Sequence, residues 1–597
     1  MKVKNISISL LVLFLLTSNG LGIYAEETSK PEEPTQAENG NNPPEKPNGE
    51  NNGGTPPDMP SGDVQDGGTP PDMPEGGGFG GGANTQTFDY SGTYSGSLVA
   101  DNEEVTSTNE TIEATESDVN TALVQNGGTL TIDSSVLNKS GDDSNGDNCN
   151  FYGLNSIALA LNENSLLKIS NSTLNATSEG SNAIFSTDNA TVYASNDVIN
   201  TTSDNSRGLD ATYGGTILAD NVTISTKGNH SASIATDRGG GNVSATNSTL
   251  NTEGSGSPLL YSTGDIEVDN VNGTASGSQI AGMEGLNTML IYNSNLTSTN
   301  NAISGSDPIK NGVIIYQSTS GDADTSTGES ARFEAVNSTL TTSIDSGSMF
   351  YLTNTTANIL LSNTTLDFDS SNVNLLQVEG NDANSWGKAG SNGASVIFTC
   401  MNETLSGNIT VDTISSANIY LLDNTTYTGS TNITTNEVNT NATDTPIVVN
   451  VSSNSKWIVT GDSTVTNLNV EDGGKVVDEE GKTVTIKVND EIVVQGDSSY
   501  TITVTGSYDS TFSTDSNNTL TTSYIDRTGI DTAFGLSTTF NTKTDSTVTE
   551  QTVQTTEEPV TNIETTTSTT SYYPVIGVIA VVAIIGIIYL VSHKKKA

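Results

Sequence analysis

Cations are scarce in this chain, so the two arginines on neighbouring repeats mark the first place to look for chemistry. The 597 residues carry 21 Lys and Arg against 70 Asp and Glu, a formal charge of −49. Arg207 lies in Ser206-Arg207-Gly208-Leu209-Asp210-Ala211-Thr212-Tyr213, and Arg238 in Ala235-Thr236-Asp237-Arg238-Gly239-Gly240-Gly241. Aligned on the repeat described below, Tyr213 and Arg238 fall near one turn, and Asp210 and Asp237 are close enough to join them. A guanidinium is a planar fork of donors that suits carboxylates and hydroxyl-rich ligands. Arg207, Asp210, Tyr213, Asp237 and Arg238 therefore form a candidate carbohydrate-binding cluster. The same residues also fit an inter-coil salt bridge that orders a turn. A third fit is a polysaccharide-lyase centre with an Arg base and calcium. No catalytic residue is assigned.

Other chemistry is thin. There are two histidines. His593 follows the apolar C-terminal run, and His230 sits in the turn Asn229-His230-Ser231, so no dyad is expected. No Cys and His spacing suits a metal. The polar turn at 140–150 contains Asp142, Asp143 and Asp147, oxygen donors of the kind calcium takes, but it lacks the terminal Glu of an EF-hand loop. A solvated loop explains the same residues, and no other cofactor is expected. Nucleic acid is excluded as a partner, because phosphate binding needs clustered cations.

These residues must be positioned by a repeat. Asn171-Ser172-Thr173-Leu174 returns as Asn221-Val222-Thr223-Ile224, Asn247-Ser248-Thr249-Leu250, Asn293-Ser294-Asn295-Leu296, Asn337-Ser338-Thr339-Leu340 and Asn363-Thr364-Thr365-Leu366, with a degenerate copy at Asn196-Asp197-Val198-Ile199. Leu174, Ile199, Ile224 and Leu250 are spaced 25, 25 and 26 residues apart, the mark of a stacked array. The 44-residue step from Leu296 to Leu340 reads as two shorter periods. Each period holds short strands parted by Asn, Asp and Ser turns, such as Asp188-Asn189 and Ser195-Asn196. No window shows helical spacing. Three strands per period predict an all-β fold, one coil of a right-handed parallel β-helix solenoid. Leucine-rich repeats need more Leu and a helix per repeat, and a β-sandwich array is the weaker alternative. Ile184, Leu209, Ile234 and Leu260 should form an inward column, and Thr187, Thr212, Thr236 and Thr263 a ladder of hydroxyls at one turn. A single narrow core explains how a chain only 32% hydrophobic and 5% aromatic folds.

The rest of the chain reads in order. Residues 1–25 look like a signal peptide: Lys2 and Lys4, an apolar run from Ile6 to Leu16, then Ala25 before Glu26. An N-terminal membrane anchor is the alternative. Residues 26–85 form a disordered, acidic Pro/Gly-rich linker, in which Gly53-Gly54-Thr55-Pro56-Pro57-Asp58-Met59-Pro60 repeats at 67–74. A Pro-rich ligand for a partner is the other reading. The β-helix with a C-terminal β cap spans 86–508, at about seventeen coils and on the order of 80 Å. The cap is expected from alternating segments at 456–459, 483–488 and 500–504. A Thr/Ser-rich stalk follows at 509–571. Residues 572–592 make one transmembrane helix, with Tyr572 and Tyr573 at one border and Lys594 to Lys596 at the other, leaving 593–597 as a cytoplasmic tail. The bulk of the chain is then extracellular. Cys149 and Cys400 lie some ten coils apart, roughly 50 Å, beyond the reach of a disulfide.

Asn-x-Ser/Thr sequons recur at one coil position, at Asn171, Asn221, Asn247, Asn337, Asn363, Asn402 and Asn424. They read equally as N-glycan acceptors lining one face and as a stacked asparagine ladder.

Residues 206–215, 235–241, 257–266, 316–323, 350–357 and 384–393 resemble prokaryotic adhesin-like cell-surface proteins with right-handed parallel β-helix repeats, found on gut anaerobes and gut methanogenic archaea. The likeness covers about 90–470. It implies surface display and adhesion, to carbohydrate or to another cell, and carries no catalytic residues. The sequence thus leads to a membrane-anchored adhesin, with a surface polysaccharide lyase or hydrolase, or a structural envelope component, as alternatives.

Overall fold

A computed structural model describes residues 86–541, apart from 324–328, 384–385, 440 and 539. The chain divides into two units, Met1–Gly76 and Gly77–Ala597, and only the second contains described residues. The expected signal peptide, linker up to 85, transmembrane helix, cytoplasmic tail and the stalk beyond 541 lie outside the described residues.

Successive strands step around three long parallel sheets and return one coil further on. Sheet A holds 13 strands, from Gly96–Asp101 to Thr431–Thr434. Sheet B holds 15, from Glu104–Thr108 to Tyr508–Asp509, and sheet C holds 10, from Thr111–Ala114 to Thr365–Asp367. A four-stranded sheet from Thr404–Ser406 to Lys475–Asp478 takes over the third side. This is a β-helix-like solenoid. Fifteen strands give fourteen steps of about 4.8 Å, about 67 Å. Seventeen coils and 80 Å were too many, because insertions use up residues that the period assigned to coils.

The inward columns stand in the expected register. Leu174, Ile199, Ile224 and Leu250 pair strand to strand. Their column continues through Gly273 to Leu296, Leu340 and Leu366. At Gly273 the space a Cβ would take is filled by Leu259 at 2.7 Å and Leu296 at 3.0 Å. In sheet A, Ile184, Leu209, Ile234 and Leu260 pair in the same way. All of these except Leu366 and Gly273 join one core cluster that runs from Ala100 to Val504. Burying each such side chain is worth about 1.5–3 kcal/mol.

Leu296 and Leu340 are direct neighbours. The 44-residue step is therefore one coil and not two. Its surplus sits in two excursions, 299–310 before the strand Asn311–Tyr316 and 317–330 before Ala331–Val336. The threonine ladder is also corrected. Thr212 donates to Thr187 at 2.7 Å, but Thr236 pairs with Ala211, one position off. Asp237 takes the place beside Thr212. Thr236 instead lies 3.4 Å from the Ser262 hydroxyl and accepts the Thr263 N–H at 2.9 Å.

The Asn-Ser-Thr-Leu motif is a turn code between sheets B and C. Its asparagines are left-handed, with φ of 52° at Asn171, 54° at Asn221, 53° at Asn247, 51° at Asn337, 53° at Asn363 and 56° at Asn402. Asparagine tolerates that region best among non-glycine residues. Their amides run along the stack: Asn221 donates to Asn196 at 2.6 Å, Asn270 to Asn247 at 2.7 Å and Asn363 to Asn337 at 2.9 Å. Asn424 shares the conformation (φ 67°). The serine turns inward, and its hydroxyl accepts a backbone N–H from the preceding coil. Ser172 takes that of Ser135 at 3.1 Å, Ser248 that of Val222 at 3.2 Å and Ser294 that of Val271 at 3.0 Å. Threonine faces out, and leucine enters the core. The sequon asparagines are exposed, yet their side chains carry the ladder.

Two short helices break the all-β pattern. Helix α1, Gly146–Tyr152, forms inside the polar turn, with Asn145 as its N-cap and Gly153 at φ 74° as its C-cap. Helix α2, Thr528–Phe534, lies in what composition assigns to the stalk. Residues 509–541 are no free stalk, because they run back along the outer face of sheet B. Thr521 N–H reaches Glu334 at 2.9 Å, and Ile525 N–H reaches Glu267 at 2.9 Å. Buried Arg527 donates to Ser244 O at 2.7 Å and Ala219 O at 2.9 Å. Phe540 and Tyr524 pack on Tyr292, at ring separations of 5.1 and 6.0 Å. At the far end, the strands Thr485–Val488 and Thr501–Val504 close the stack. Glu491–Val494 adds to Thr485–Val488 as the antiparallel edge of that sheet. Both cysteines are buried free thiols.

Two copies of the motif carry an acid where most of the others carry serine. Asp197 accepts the Ser172 N–H at 2.8 Å, and Glu403 accepts the Thr364 N–H at 2.7 Å. Burial pushes Asp197 up to about 7 and Glu403 up to about 8, outweighing those hydrogen bonds. A carboxyl whose folded pKa is raised stabilises fully below its unfolded value and loses that contribution as pH rises through the folded value. The solenoid should therefore melt several degrees higher at pH 5 than at pH 8. The double variant Asp197→Ser, Glu403→Ser should reduce that dependence, which thermal denaturation across this range would measure.

Candidate functional site

The outer face of sheet A is covered piece by piece. Leu123, Leu159 and Phe185 point outward and pack under Phe88 and Tyr94 of the segment that precedes the first strand. Further along, Ile314, Tyr351 and Trp386 form a second outer cluster. Between the two lies a cavity of about 280 Å³. It is walled by α1, by the 299–310 excursion and by the start of the 317–330 excursion, so it exists where the chain departs from its period.

Alternation along the strands sets the floor. Leu209, Ile234 and Leu260 point into the core, so Asp210, Ala235 and Tyr261 point out. Tyr261 and Tyr316 both donate to Glu284, at 3.0 and 3.2 Å. Tyr316 stacks on Trp386 with centroids 4.1 Å apart and planes at 12°. Phe151 of α1 forms the opposite wall. His230, held left-handed at φ 52°, also lines the cavity.

Arg207, Asp210 and Asp237 come together as expected, and all three are buried. Arg207 Nη2 lies 3.1 Å from Asp237 and Nη1 3.5 Å from Asp210. Nη1 also donates to Asn150 of α1 at 2.8 Å. Burial works against the arginine charge, but Asp210 and Asp237 outweigh it and raise its pKa. Burial raises both carboxyls, with Arg207 pulling the other way. Asp237 faces the cavity together with Arg207.

Arg238 is held differently. Its guanidinium lies 3.6 Å from the centroid of the Phe151 ring and pairs with Asp322 at 2.5 Å. It thereby ties α1 to the 317–330 excursion, a cation–π contact and an ion pair in one group. Tyr213 does not join the cavity. It stacks on Tyr152 at 5.6 Å with planes at 6°, and Phe88 meets its edge at 5.5 Å. Its role is to pin the entering segment to the solenoid.

Sequence reasoning missed Phe151, Tyr261, Tyr316, Glu284 and Asp307, and set His230 aside. The surplus length between Leu296 and Leu340 was the signal, since a coil longer than its neighbours must project a loop. Asp307 sits in that loop and accepts from Asn311 at 2.8 Å, and burial pushes its carboxyl up to about 7. Asp142, Asp143 and Asp147 do not converge. Asp142 accepts the Glu179 N–H at 3.0 Å, and Asp147 lies in the first turn of α1. Among the described residues, no group of three or more His, Cys, Asp or Glu side chains is placed to hold a metal ion.

Aromatic rings, a guanidinium and carboxyls around a small concavity can grip a polyhydroxylated ring, stacking its C–H face and bonding its hydroxyls. Comparison with protein-family models, with curated proteins and with solved structures returned no match. The buried ion pair has a direct test. Arg207→Met leaves Asp210 and Asp237 without a counter-charge and should cost about 3–5 kcal/mol. Arg238→Met, at a partly exposed pair, should cost about 1 kcal/mol. Chemical denaturation should reproduce that order.

Proposed function

We propose that this chain is an adhesin-like protein of the cell surface. In this reading a right-handed solenoid presents a saccharide-binding cavity to extracellular polysaccharide or to a neighbouring cell. The signal-like residues 1–25 direct export. Residues 572–592 anchor the chain in the membrane, with Lys594 to Lys596 inside. Residues 26–85 and 542–571 act as spacers, and the sequon asparagines are available to glycans. Right-handed winding is the rule for parallel strands joined by crossover connections. Among the described residues, no helix is long and apolar enough to cross a membrane.

The observation that carries the reading is the cavity itself. Tyr261, Tyr316 and Phe151 offer ring faces beside Arg207, Asp237 and His230. At about 280 Å³ it lies at the small end of ligand sites and suits one sugar unit with the rest of a chain outside. The net charge of −49 favours neutral glycans over anionic ones. A hydrolase or lyase is the second reading. Two raised carboxyls, Asp237 and Asp307, border the same space, and such groups suit acid–base work.

A glycan array probed with the full-length protein in detergent separates these. Retention of neutral glycans, weakened about tenfold or more by Tyr261→Ala, is the expected result. Release of new reducing or unsaturated ends, abolished by Asp307→Asn, would establish the enzyme instead. Absence of any glycan binding would overturn both and leave an envelope component.

A further inference from the structure

A second cavity opens on sheet A beyond the first, about 370 Å³ in volume, with Tyr351, Glu379 and Asp412 in its lining. Val378 pairs with Val411 in neighbouring parallel strands. The residues that follow, Glu379 and Asp412, thus stand side by side at one strand spacing. Like charges in that arrangement repel. Asp382 and Glu437 add two more carboxylates at the rim, and among the described residues no Lys, Arg or His lines the space.

The local partners do not neutralise this charge. Asp412 is buried and accepts the Gly380 N–H at 2.9 Å, the Asn436 amide at 2.8 Å and the Ile414 N–H at 3.2 Å. Glu379 accepts the Gln377 amide at 2.8 Å. All four donors are neutral. Beside them the Tyr351 hydroxyl is fully buried and makes no hydrogen bond of good geometry, with the Thr353 side chain near it. A buried hydroxyl without a well-placed partner is destabilising. Tyr351 lines the cavity, and a phenol oxygen can both accept and donate.

We infer that this second cavity binds a protonated primary amine, whose three N–H donors match Glu379, Asp412 and the Tyr351 oxygen. An ammonium has donors only, so it satisfies two carboxylates and a phenol oxygen together. The volume exceeds what a bare ion fills, and the carboxylates are not placed to enclose a metal ion. The ammonium is therefore carried on a larger body, and an amino sugar is the fitting carrier, a choice that rests on the saccharide reading proposed above for the first cavity on the same face. Burial raises the Glu379 carboxyl; Gln377 lowers it, and the charge of Asp412 raises it further. An incoming cation relieves that pairing.

The test is calorimetry on the full-length protein in detergent, with glucosamine, N-acetylglucosamine, putrescine and calcium chloride as titrants. Glucosamine should bind and N-acetylglucosamine should not, because acetylation removes the charge. Putrescine binding as well as glucosamine would assign recognition to the ammonium alone, whereas weaker putrescine binding would add the sugar ring. Glu379→Gln should weaken binding by about tenfold or more at an unchanged melting temperature. Tyr351→Phe should weaken binding while leaving the melting temperature level or higher, since it removes a buried hydroxyl without a well-placed partner. Equal binding of the two sugars, an unaffected Glu379→Gln, or calcium binding without glucosamine binding would overturn the assignment. Glycan binding through Tyr261 and amine binding through Glu379 are separate readouts, so either can fail alone.

Discussion

Lateral pairing of one coil with the next is the constraint from which the rest of this molecule follows. A single coil leaves its backbone donors and acceptors open on both sides, and only a neighbour in register closes them. Register is fixed twice over. The inward apolar residues fix it through burial, because a slip of one residue turns the core face outward. The turn fixes it through polar groups: a left-handed asparagine bonds to the asparagine or aspartate of an adjacent coil, and a buried serine caps the N–H of the coil before. Because the order comes from stacking, the fold needs few large side chains and tolerates a composition that would leave a globular chain disordered.

The same constraint dictates where function can be placed. Inward strand positions are taken by the core and outward ones supply only a floor, so walls enter at turns, where a coil gains length without disturbing its neighbours. Helix α1 and the excursions at 299–310 and 317–330 all do this over sheet A, and Arg238 braces α1 against the second excursion through Phe151 and Asp322. Sheet B is used differently. Residues 509–541 lie along it, with Arg527 reaching carbonyls of two successive strands. Asn541, the last described residue, therefore lies beside Asp269, near the middle of sheet B, and not at the end of the stack.

What could be read from sequence was what repeats. The column of Leu174, Ile199, Ile224 and Leu250 and the meeting of Arg207 with Asp210 and Asp237 follow from counting along a period. What could not be read was whatever interrupts it. Leu296 and Leu340 were two coils apart in the count and are one coil apart in space, because an insertion and an extra coil have the same length. Thr236 was placed one position out because it follows Thr212 by 24 residues, whereas the two strands pair at an offset of 25. Helix α1 is seven residues long, too short to show a periodicity. Tyr213 finds Phe88 and Tyr152, partners more than sixty residues away, and the strap of 509–541 docks through Arg527 at a distance of nearly three hundred. No local pattern announces such contacts.

Register is therefore what to measure. Asn200 and Ser225 pair in adjacent coils on the outside of sheet C, whereas Asn251 lies one coil further. Strands stand about 4.8 Å apart, within the span of a disulfide, and two steps exceed it. In an oxidative cross-linking experiment, the variant Asn200→Cys, Ser225→Cys should close a disulfide readily, and Asn200→Cys, Asn251→Cys should not. Cross-linking of the second pair in preference to the first would contradict the stacking on which every other statement rests.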